Sequence, residues 1–471
     1  MSYVYASYDS LCERTNTVLM KENVKCQSSV IRCHSRHRPN VTQFAGYEKM
    51  RRVIAEDPDW TLITVPCLSD LCLQCIVANF EGKLLFYFFP QYFLQEKLST
   101  SLQLHVTAGL IGDGVYWRRC CEQRWDICDV SCYDHSWKRM FLERHMEELI
   151  ELFIPNVTDP MTVLEMVTLC GNYVKRLEIS QLLPPVMESK EEEEEEESGL
   201  ELERDSDRPS MDHFDFSLLL HKLSSLEELH LMYQVKQCGM NFEWTMFEMS
   251  DRDCESLAKA LKSCQTLKLL RLHQSHLEDK KCCTLVESLL DHPSLRELDF
   301  SHNQIGDKGA KAISKLLNRC KLETLNVCDN NIGAPGAKAI AHALSENSTL
   351  LSLNLRLNRL RDEGGEAIGE ALLSNSALRH LHLGGNEATA PTAMALAQAL
   401  VQNTSLKSIS LSCNNLGVDG GRALEEALTH NSSLTECDMY LTEVDEQSAL
   451  AVKQALWNNV SLEQKRLEST E

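Results

Sequence analysis

A leucine pattern that returns every 27 or 28 residues constrains the second half of this chain more than any other feature. The pattern Leu-x-x-Leu-x-Leu-x-x-Asn-x-Leu starts at residues 267, 295, 322, 350, 378, 406 and 434. A fixed period of this length is the signature of stacked repeats, in which each unit buries its apolar face against the next one. The pattern therefore predicts a repeat array rather than a conventional globular core.

Each repeat has a strand half and a helix half. The leucines alternate along the first half, which places them on one face of a short strand. The second half, for example residues 307–317, carries Ala310, Ile313 and Leu317 at helical spacing. Three aspartates stand where helix N-caps are expected: Asp307, Asp362 and Asp419. The register predicts parallel strands at residues 228–232, 269–273, 297–301, 324–328, 352–356, 380–384, 408–412 and 436–440.

A strand and a full helix within 28 residues resemble the ribonuclease-inhibitor type of leucine-rich repeat. The predicted fold is thus α/β, a horseshoe with its strands on the concave face and its helices outside. Strand residues between the core leucines then face the concavity, where we expect a helix or coiled coil of a partner to dock. These residues form the candidate concave-face surface: Arg271, Glu297, Asp299, Asn326, Asn354, Arg356, His380, His382, Ser410, Asp438 and Tyr440.

Two sets of asparagines recur with the repeat. One set closes the strand half and is expected to form a structural ladder that hydrogen-bonds the backbone: Asn303, Asn330, Asn358, Asn386 and Asn414. The other set lies in glycosylation sequons at Asn347, Asn403 and Asn431. Because these sequons recur just before each strand, we interpret them as loop chemistry rather than as modification sites.

Two insertions interrupt the start of the array, which we predict to run over residues 174–471. The first repeat pairs a strand near 174–179 with a helix half at 214–223, so residues 184–210 are extra, and a second insertion covers 233–249. The first insertion contains an acidic tract: Glu191, Glu192, Glu193, Glu194, Glu195, Glu196 and Glu197. Like-charge repulsion predicts disorder for this tract. It serves either as a solubilising loop or as a site for a basic partner.

The N-terminal 173 residues lack the repeat and are predicted to form an all-helical module that caps the array. Apolar residues at helical spacing predict helices at residues 47–55, 68–80, from 89, 116–125, 136–152 and 159–170. Two groups of possible metal ligands occur in this region: one is Cys67, Cys72 and Cys75, and the other is Cys120, Cys121, Cys128, Cys132 and His135. Only one CxxC pair has zinc-ligand spacing, so buried free thiols are expected and no metal or cofactor.

Composition and motifs exclude several function classes. The net charge of −22 argues against a protein that grips nucleic acid or an anionic membrane. No apolar run reaches the length of a membrane span, and the N-terminus lacks the pattern of a secretory signal. No GxxxxGK[ST], HExxH or GxSxG motif occurs. The chain is therefore predicted not to be an enzyme, and its repeat array to be a protein-interaction surface.

Part of the helical module resembles F-box and elongin-A-like proteins. Residues 116–125 and 136–145 are similar to the helices that follow an F-box, and Phe89-Pro-x-x-Phe-Leu stands where an F-box begins. This resemblance implies an alternative function as a leucine-rich-repeat substrate adaptor of a ubiquitin ligase. A third alternative is a GTPase-activating protein built as a leucine-rich-repeat horseshoe. Such a protein is expected to carry an acidic tract at its C-terminus, whereas the acidic tract of this chain lies at 188–203.

Longer strings resemble one family more specifically. They are Arg51–Trp60, Trp117–Trp125, Ser136–His145, Cys238–Trp244, Leu353–Asn358 and Leu381–Asn386. Between about residues 45 and 460 the chain is similar to the T-complex-associated testis-expressed family, a subunit of the nexin–dynein regulatory complex. The resemblance implies a scaffold in the axoneme of cilia and sperm flagella, within the cytoplasmic cytoskeleton. Its implied partners are other coiled-coil and leucine-rich-repeat subunits, with the doublet microtubule and dynein contacted indirectly.

Overall fold

The computed structural model describes residues 51–52, 64–65, 96, 98–185, 212–236, 238 and 244–468. The chain divides into two compact units, residues 1–78 and 79–471. The acidic tract, the predicted helix at 68–80 and the cysteines Cys67, Cys72 and Cys75 lie outside the described residues, as does the F-box-like segment at 89–95. The division at residue 173 between a helical module and the array stays a prediction.

The first unit contains a short antiparallel pair of strands. Strand β1 (Arg51–Arg52) pairs with strand β2 (Thr64–Val65). The helix predicted across residues 47–55 is therefore wrong at Arg51–Arg52, and the N-terminal region is not helical throughout. The neighbouring residues include Val53, Ile54, Thr64 and Val65, and β-branched side chains favour extended backbone over helix.

In the described part of the second unit that starts at residue 98, four helices precede the sheet. They are α1 (Leu104–Leu110), α2 (Val115–Arg124), α3 (Trp137–Glu151) and α4 (Met161–Cys170). The helices predicted at 116–125, 136–152 and 159–170 are confirmed. Ser136 begins α3, because its side chain accepts a hydrogen bond from the Arg139 N–H at 3.1 Å. Trp117 and Met140 are each 1% exposed and anchor this helical core.

The array alternates strands with helices along the chain. Its elements are β3 (Arg176–Ile179), β4 (Glu228–Leu231), α5 (Asp251–Ser263), β5 (Leu269–Leu272), α6 (Asp279–Leu289), β6 (Glu297–Asp299), α7 (Asp307–Arg319), β7 (Thr324–Asn326), α8 (Ala334–Glu346), β8 (Ser352–Asn354), α9 (Arg361–Ser374), β9 (His380–His382), α10 (Ala390–Gln402), β10 (Ser408–Ser410), α11 (Gly417–His430), β11 (Glu436–Asp438) and α12 (Glu446–Glu468). Strands β3 to β11 form one parallel sheet in chain order. The predicted α/β repeat fold is confirmed.

A ladder of apolar side chains forms the core beneath the sheet. The strand register pairs Leu298, Leu325, Leu353 and Leu381 with their counterparts in the next repeat, and all are at most 1% exposed. Each buried leucine stabilises the fold by roughly 1.5–3 kcal/mol relative to an exposed one. The strands start where predicted but end one or two residues earlier.

The helix half of the first repeat differs from its prediction. Residues 214–223 form two 3₁₀ turns, Phe216–Leu218 and Leu220–Lys222, instead of an α-helix. Side chains three residues apart eclipse each other in 3₁₀ geometry. This aligns Phe216 with Leu219, and Leu220 with Leu223, and all four are at most 1% exposed.

The predicted aspartate N-caps are also wrong: Asp307 and Asp362 cap the helix of the following repeat, and Asp419 caps no helix in the described part of the chain. The Asp307 Oδ1 accepts hydrogen bonds from the backbone N–H groups of Gly333 and Gly336, both at 2.9 Å, at the start of α8. Asp279 and Asp362 make the same kind of contact with α7 and α10. A Cβ atom on Gly336 would lie 2.8 Å from the Asp307 carboxylate, so the close approach requires glycine. The capping aspartates therefore connect neighbouring repeats.

Three glutamates of α3 close the N-terminal edge of the sheet. Glu143 accepts from the Arg176 N–H at 3.1 Å and also from the Lys175 N–H at 2.7 Å, Glu147 accepts from the Glu178 N–H at 2.8 Å, and Glu151 from the Ser180 N–H at 2.7 Å. Four helical residues rise ~6 Å and two strand residues ~6.6 Å, so glutamates at i, i+4 and i+8 match alternate residues of an edge strand. These side chains occupy the hydrogen-bonding groups through which another strand would add to β3.

The glutamate cap makes the fold sensitive to alkaline pH. Burial raises the pKa of Glu147 to about 8, and burial also raises the pKa of Glu143. An unfolded glutamate titrates near ~4.3. The folded state therefore binds the proton more tightly, and the stability this contributes is fully present below the unfolded pKa and is lost as the pH rises through the folded one.

We expect the melting temperature of the wild-type chain to fall between about pH 5.5 and about pH 8.5. The variant Glu147→Gln keeps an oxygen that accepts from Glu178 but has no titratable group. Its melting temperature should therefore fall less, because its free energy of unfolding should lose up to about 1.4 kcal/mol less per pH unit than that of the wild type. Circular dichroism melts measure the difference. Glu165→Gln, an exposed residue of α4, is the matched control and should follow the wild type; identical profiles for all three chains would contradict the assignment.

The aspartate contacts between repeats give a second prediction. Asp307→Ala leaves two N–H groups at the start of α8 without an acceptor, which should lower the free energy of unfolding by about 1–2 kcal/mol in urea titrations. Asp419 lies in the first turn of α11, one residue past the position equivalent to Asp307, is exposed, and caps nothing in the described part of the chain. Asp419→Ala should therefore leave the free energy of unfolding within about 0.5 kcal/mol of the wild type; equal losses would refute a capping role.

Candidate interaction surface

The strand register brings the predicted concave-face residues into one row. One residue of each strand from β5 to β11 pairs in register with its equivalent on the next strand. In order, these residues are Arg271, Asp299, Asn326, Asn354, His382, Ser410 and Asp438. Glu297 and His380 lie in the adjacent row on the same side of each strand, two residues earlier. Arg356 and Tyr440 follow the ends of β8 and β11. We call the first set the concave row.

The N-terminal half of this face carries charges that pair with one another. Arg176 contacts Glu178 at 2.6 Å. The Arg271 Nε donates to Asp299 at 3.1 Å, and its Nη1 lies 3.4 Å from the Nδ1 of His230. Burial, followed by the Arg271 charge, lowers the pKa of His230 to about 3, so the ring is neutral at pH 7 and can accept from the guanidinium. This half of the face therefore offers little unpaired charge.

Four members of the concave row use one oxygen to end their own strand. Oδ1 of Asp299, Asn326, Asn354 and Asp438 accepts the backbone N–H two residues later, at 3.0 to 3.1 Å. This Asx-type contact competes with the sheet ladder and turns the chain away from it. It explains why the strands are shorter than predicted, and it leaves only part of each side chain available to a partner.

The C-terminal half of the face is more open. Arg356 and Asp438 are exposed, and Tyr440 is 70% exposed. Ser410 Oγ donates to Asp438 at 2.9 Å. Burial lowers the pKa of His382, which favours a neutral ring there. Hydroxyl, amide and imidazole groups with few charges can hydrogen-bond a partner without a large desolvation cost.

The structural asparagines lie beside this face and hold the turns together. Asn358 is 4% exposed; its Oδ1 accepts from the Ile332 N–H at 3.0 Å, and its Nδ2 donates to the carbonyls of Val327 and Leu355 at 2.9 and 3.0 Å. Asn303, Asn330 and Asn414 repeat these contacts. Asn386 repeats only the donation, from Nδ2 to the carbonyls of Leu355 and Leu383, and its buried Oδ1 accepts no hydrogen bond from the described residues. Each asparagine satisfies buried backbone groups of its own repeat and of the previous one.

A second asparagine ladder went unrecognised in the sequence. The Nδ2 of Asn403 donates to the carbonyls of Leu372 and Asn375, both at 2.9 Å, and its Oδ1 accepts from the Leu406 N–H at 2.9 Å. Equivalent contacts recur at Asn347, Asn375, Asn431 and Asn459. The recurrence of Asn375 in the same register outside any sequon was the available signal. The amide of Asn403, 6% exposed, is thus engaged in the fold.

The described residues contain no group of three or more His, Cys, Asp or Glu side chains that could hold a metal. Cys120 and Cys121 are buried, and burial raises the pKa of the Cys121 thiol to about 12. Among the described helices, none combines the length and apolarity needed to cross a bilayer. The surface is therefore built from ordinary polar side chains on a sheet.

These features define a leucine-rich-repeat protein of the ribonuclease-inhibitor type. The family profile described as "Leucine Rich repeat" matches residues 291–314, 319–341, 346–369 and 402–424. The chain is, more particularly, a homologue of dynein regulatory complex subunit 5.

Three relatives of that name support this relationship. The Macaca fascicularis protein is 49% identical over 314 residues, which are 66% of this chain and 62% of the relative. The Mus musculus protein is 47% identical over 277 residues, 58% of this chain and 56% of the relative. The Chlamydomonas reinhardtii protein is 32% identical over 218 residues, 45% of this chain and 49% of the relative. The chain thus spans less than two thirds of the length of these relatives.

Two solved structures share a more distant likeness. An actin-binding site 2 segment of leiomodin-1 has a TM-score of 0.31 at 22% identity, covering 35% of this chain and 95% of the segment. An internalin from Listeria monocytogenes has a TM-score of 0.33 at 18% identity, covering 51% of this chain and 69% of the internalin. Neither score is high enough to support a functional comparison.

Two neighbouring asparagines provide a test of the ladder. Asn414 accepts from Asn386 and Ala388 and donates to two carbonyls, whereas Asn415 is exposed. Asn414→Ala leaves buried backbone groups without hydrogen-bond partners and should lower the free energy of unfolding by about 2–4 kcal/mol. Asn415→Ala should cost about 0.5 kcal/mol or less. Urea titrations of the two variants measure both values, and similar losses would exclude a special role for Asn414.

Proposed function

We propose that this protein is a non-catalytic scaffold subunit of the axonemal nexin–dynein regulatory complex. The homology to three proteins named dynein regulatory complex subunit 5 carries the proposal. The subunit supports the link between doublet microtubules and the regulation of dynein in cilia and sperm flagella. It acts through protein contacts of its repeat array.

A rigid array suits this role. The two asparagine ladders join successive repeats, and the aspartate contacts of Asp279, Asp307 and Asp362 reinforce three of the boundaries. A partner docked on several strands therefore meets a fixed surface. We propose that the partner is a helix or coiled coil of another subunit that lies on the concave row. Arg356, His380 and Tyr440 provide its polar and aromatic contacts, because the charges near Arg271 are already paired. Aromatic and arginine side chains dominate binding energy at such interfaces.

The chemistry of the described residues favours a scaffold over an enzyme. The lowered pKa values of His230, His273 and His382 arise mainly from burial. Burial likewise raises the pKa of Cys254 to about 12, which disfavours a reactive thiolate. The doublet microtubule and dynein are indirect partners in this proposal, and the axoneme is the site of action. For the acidic tract 191–197 both hypotheses stand: it is either a solubilising loop or a site that binds a basic subunit.

A charge reversal on the concave side tests the proposed contact. Arg356→Glu should reduce incorporation of the tagged full chain into axonemes, because the new carboxylate would repel an acidic partner residue that pairs with Arg356 in the complex. Quantitative imaging of flagella and co-purification of the complex measure this. Lys311→Glu makes the same charge change on the exposed face of α7 and should incorporate normally.

The melting temperatures of both variants should equal that of the wild type. Normal incorporation of Arg356→Glu would remove this part of the sheet from the interface. Diffuse cytoplasmic signal of the wild-type chain in flagellated cells would overturn the proposed function itself.

A further inference from the structure

The outer helical face of the array changes character halfway along the chain. In the part of the array that the structure describes, every exposed large apolar side chain lies between residues 351 and 462. Those on the helices are Leu373, Met394, Val401, Val418, Leu450, Trp457 and Leu462. Contiguous exposed apolar side chains on a soluble protein mark interaction sites. The concave row does not use these residues, because they lie on the opposite side of each repeat.

The repeat register permits a comparison of equivalent outward positions on successive helices. On α7 they hold Lys311, Lys315 and Asn318; on α8, Lys338, His342 and Ser345; on α9, Glu366, Glu370 and Leu373; on α10, Met394, Gln398 and Val401; on α11, Arg422, Glu426 and Thr429. Basic residues thus give way to acidic residues on α9 and to uncharged residues on α10. The change occurs between helices that pack directly against each other.

Helix α10 carries no charged residue at all. Its sequence is Ala-Pro-Thr-Ala-Met-Ala-Leu-Ala-Gln-Ala-Leu-Val-Gln, and the charge-free stretch runs from residue 388 to residue 406. An exposed helix normally has a charged outer face, whereas a helix that is apolar all round is normally buried. Yet Met394 is 48% exposed and Val401 is 47% exposed. The outer face of α10 has the composition of a covered surface.

A groove runs between α9 and α10. The two helices approach closely because Gly365 and Gly369 face Thr392 and Ala395; a Cβ at Gly369 would lie 3.0 Å from the Ala395 backbone. The groove has a volume of about 320 Å³, with Leu373 and Met394 among its lining residues. Glycine thus brings the helices together and leaves a shallow apolar channel above them.

One wall of the groove is acidic. Glu366 and Glu370 line it and are exposed. The nearby Lys338 pairs with Glu363 at 3.2 Å. Among the described residues, neither Glu366 nor Glu370 forms an ion pair, so both carboxylates are available to a cationic ligand.

We propose that this groove binds an amphipathic helix of a partner protein, with lysines or arginines flanking its apolar stripe. The stripe packs on Leu373, Met394 and Val401, and the basic flank pairs with Glu366 and Glu370. Helix-in-groove recognition uses apolar anchors at i, i+3, i+4 and i+7, which suits a channel between two parallel helices. This inference does not depend on the proposed membership of the regulatory complex.

A second copy of this chain is a poorer occupant. A two-fold contact over the groove would bring Glu366 and Glu370 near the same residues of the other copy, and each chain carries a net charge of −22. Like charges that face each other across an interface weaken it. The charge pattern therefore selects a basic partner.

Two synthetic helical peptides of about 18 residues test the proposal. Both have the same leucine stripe, but one is flanked by lysines and the other by glutamates. Fluorescence anisotropy with the full chain should detect binding of the lysine peptide and much weaker binding of the glutamate peptide. Equal binding of both peptides, or no binding of the lysine peptide, would overturn the proposal.

Matched variants separate the groove from general attraction to an acidic protein. Glu370→Lys and Val401→Lys should each weaken binding of the lysine peptide by about tenfold. Glu426→Lys and Thr429→Lys make comparable changes at the equivalent positions of α11 and should change the affinity less than about twofold. Equal losses in both pairs would overturn the proposal.

Sedimentation velocity of the same proteins tests the competing occupant. The wild-type chain should remain monomeric at the concentrations used for binding. Self-association that Val401→Lys abolishes would assign the groove to a second copy and overturn the proposal. Circular dichroism melts of the four variants should match the wild type, because all four positions are exposed.

Discussion

The whole array depends on how buried backbone groups at the turns are satisfied. A strand only three residues long leaves N–H and C=O groups that water cannot reach, and each unsatisfied group costs about 1–3 kcal/mol. Asn358 and its equivalents satisfy these groups in two repeats at once. A second set, represented by Asn403, does the same after each helix. Because every asparagine bonds across a repeat boundary, the repeats stack in a single register, and the leucine core follows from that register.

The N-terminal edge of the sheet shows how the array begins. A parallel edge strand presents unpaired N–H groups that could recruit another chain. Glu143, Glu147 and Glu151 accept these groups from one helix, at the cost of burying carboxyl groups whose pKa rises. Addition of another strand to β3 is thereby blocked.

The two faces offer different chemistry. The sheet side presents amides, hydroxyls, neutral imidazoles and a few charges, many of them already hydrogen-bonded within the chain. The helical side presents an apolar groove with an acidic wall at Glu366 and Glu370. A scaffold with two such surfaces can hold two partners at once, which fits the proposed role in a multi-subunit complex.

The sequence by itself determined the repeat, the strand positions, the leucine ladder and the first asparagine ladder, represented by Asn358, because these recur within each 27- or 28-residue unit. Only the tertiary structure decided which group each polar side chain meets. Asp307 was expected to cap its own helix but caps the next one, since stacking brings that helix terminus closer. The spacing of Glu143, Glu147 and Glu151 is that of a solvated helix face until β3 lies against it. Likewise, the charge-free α10 suggests a buried helix, and only its position in the stack leaves Met394 and Val401 exposed.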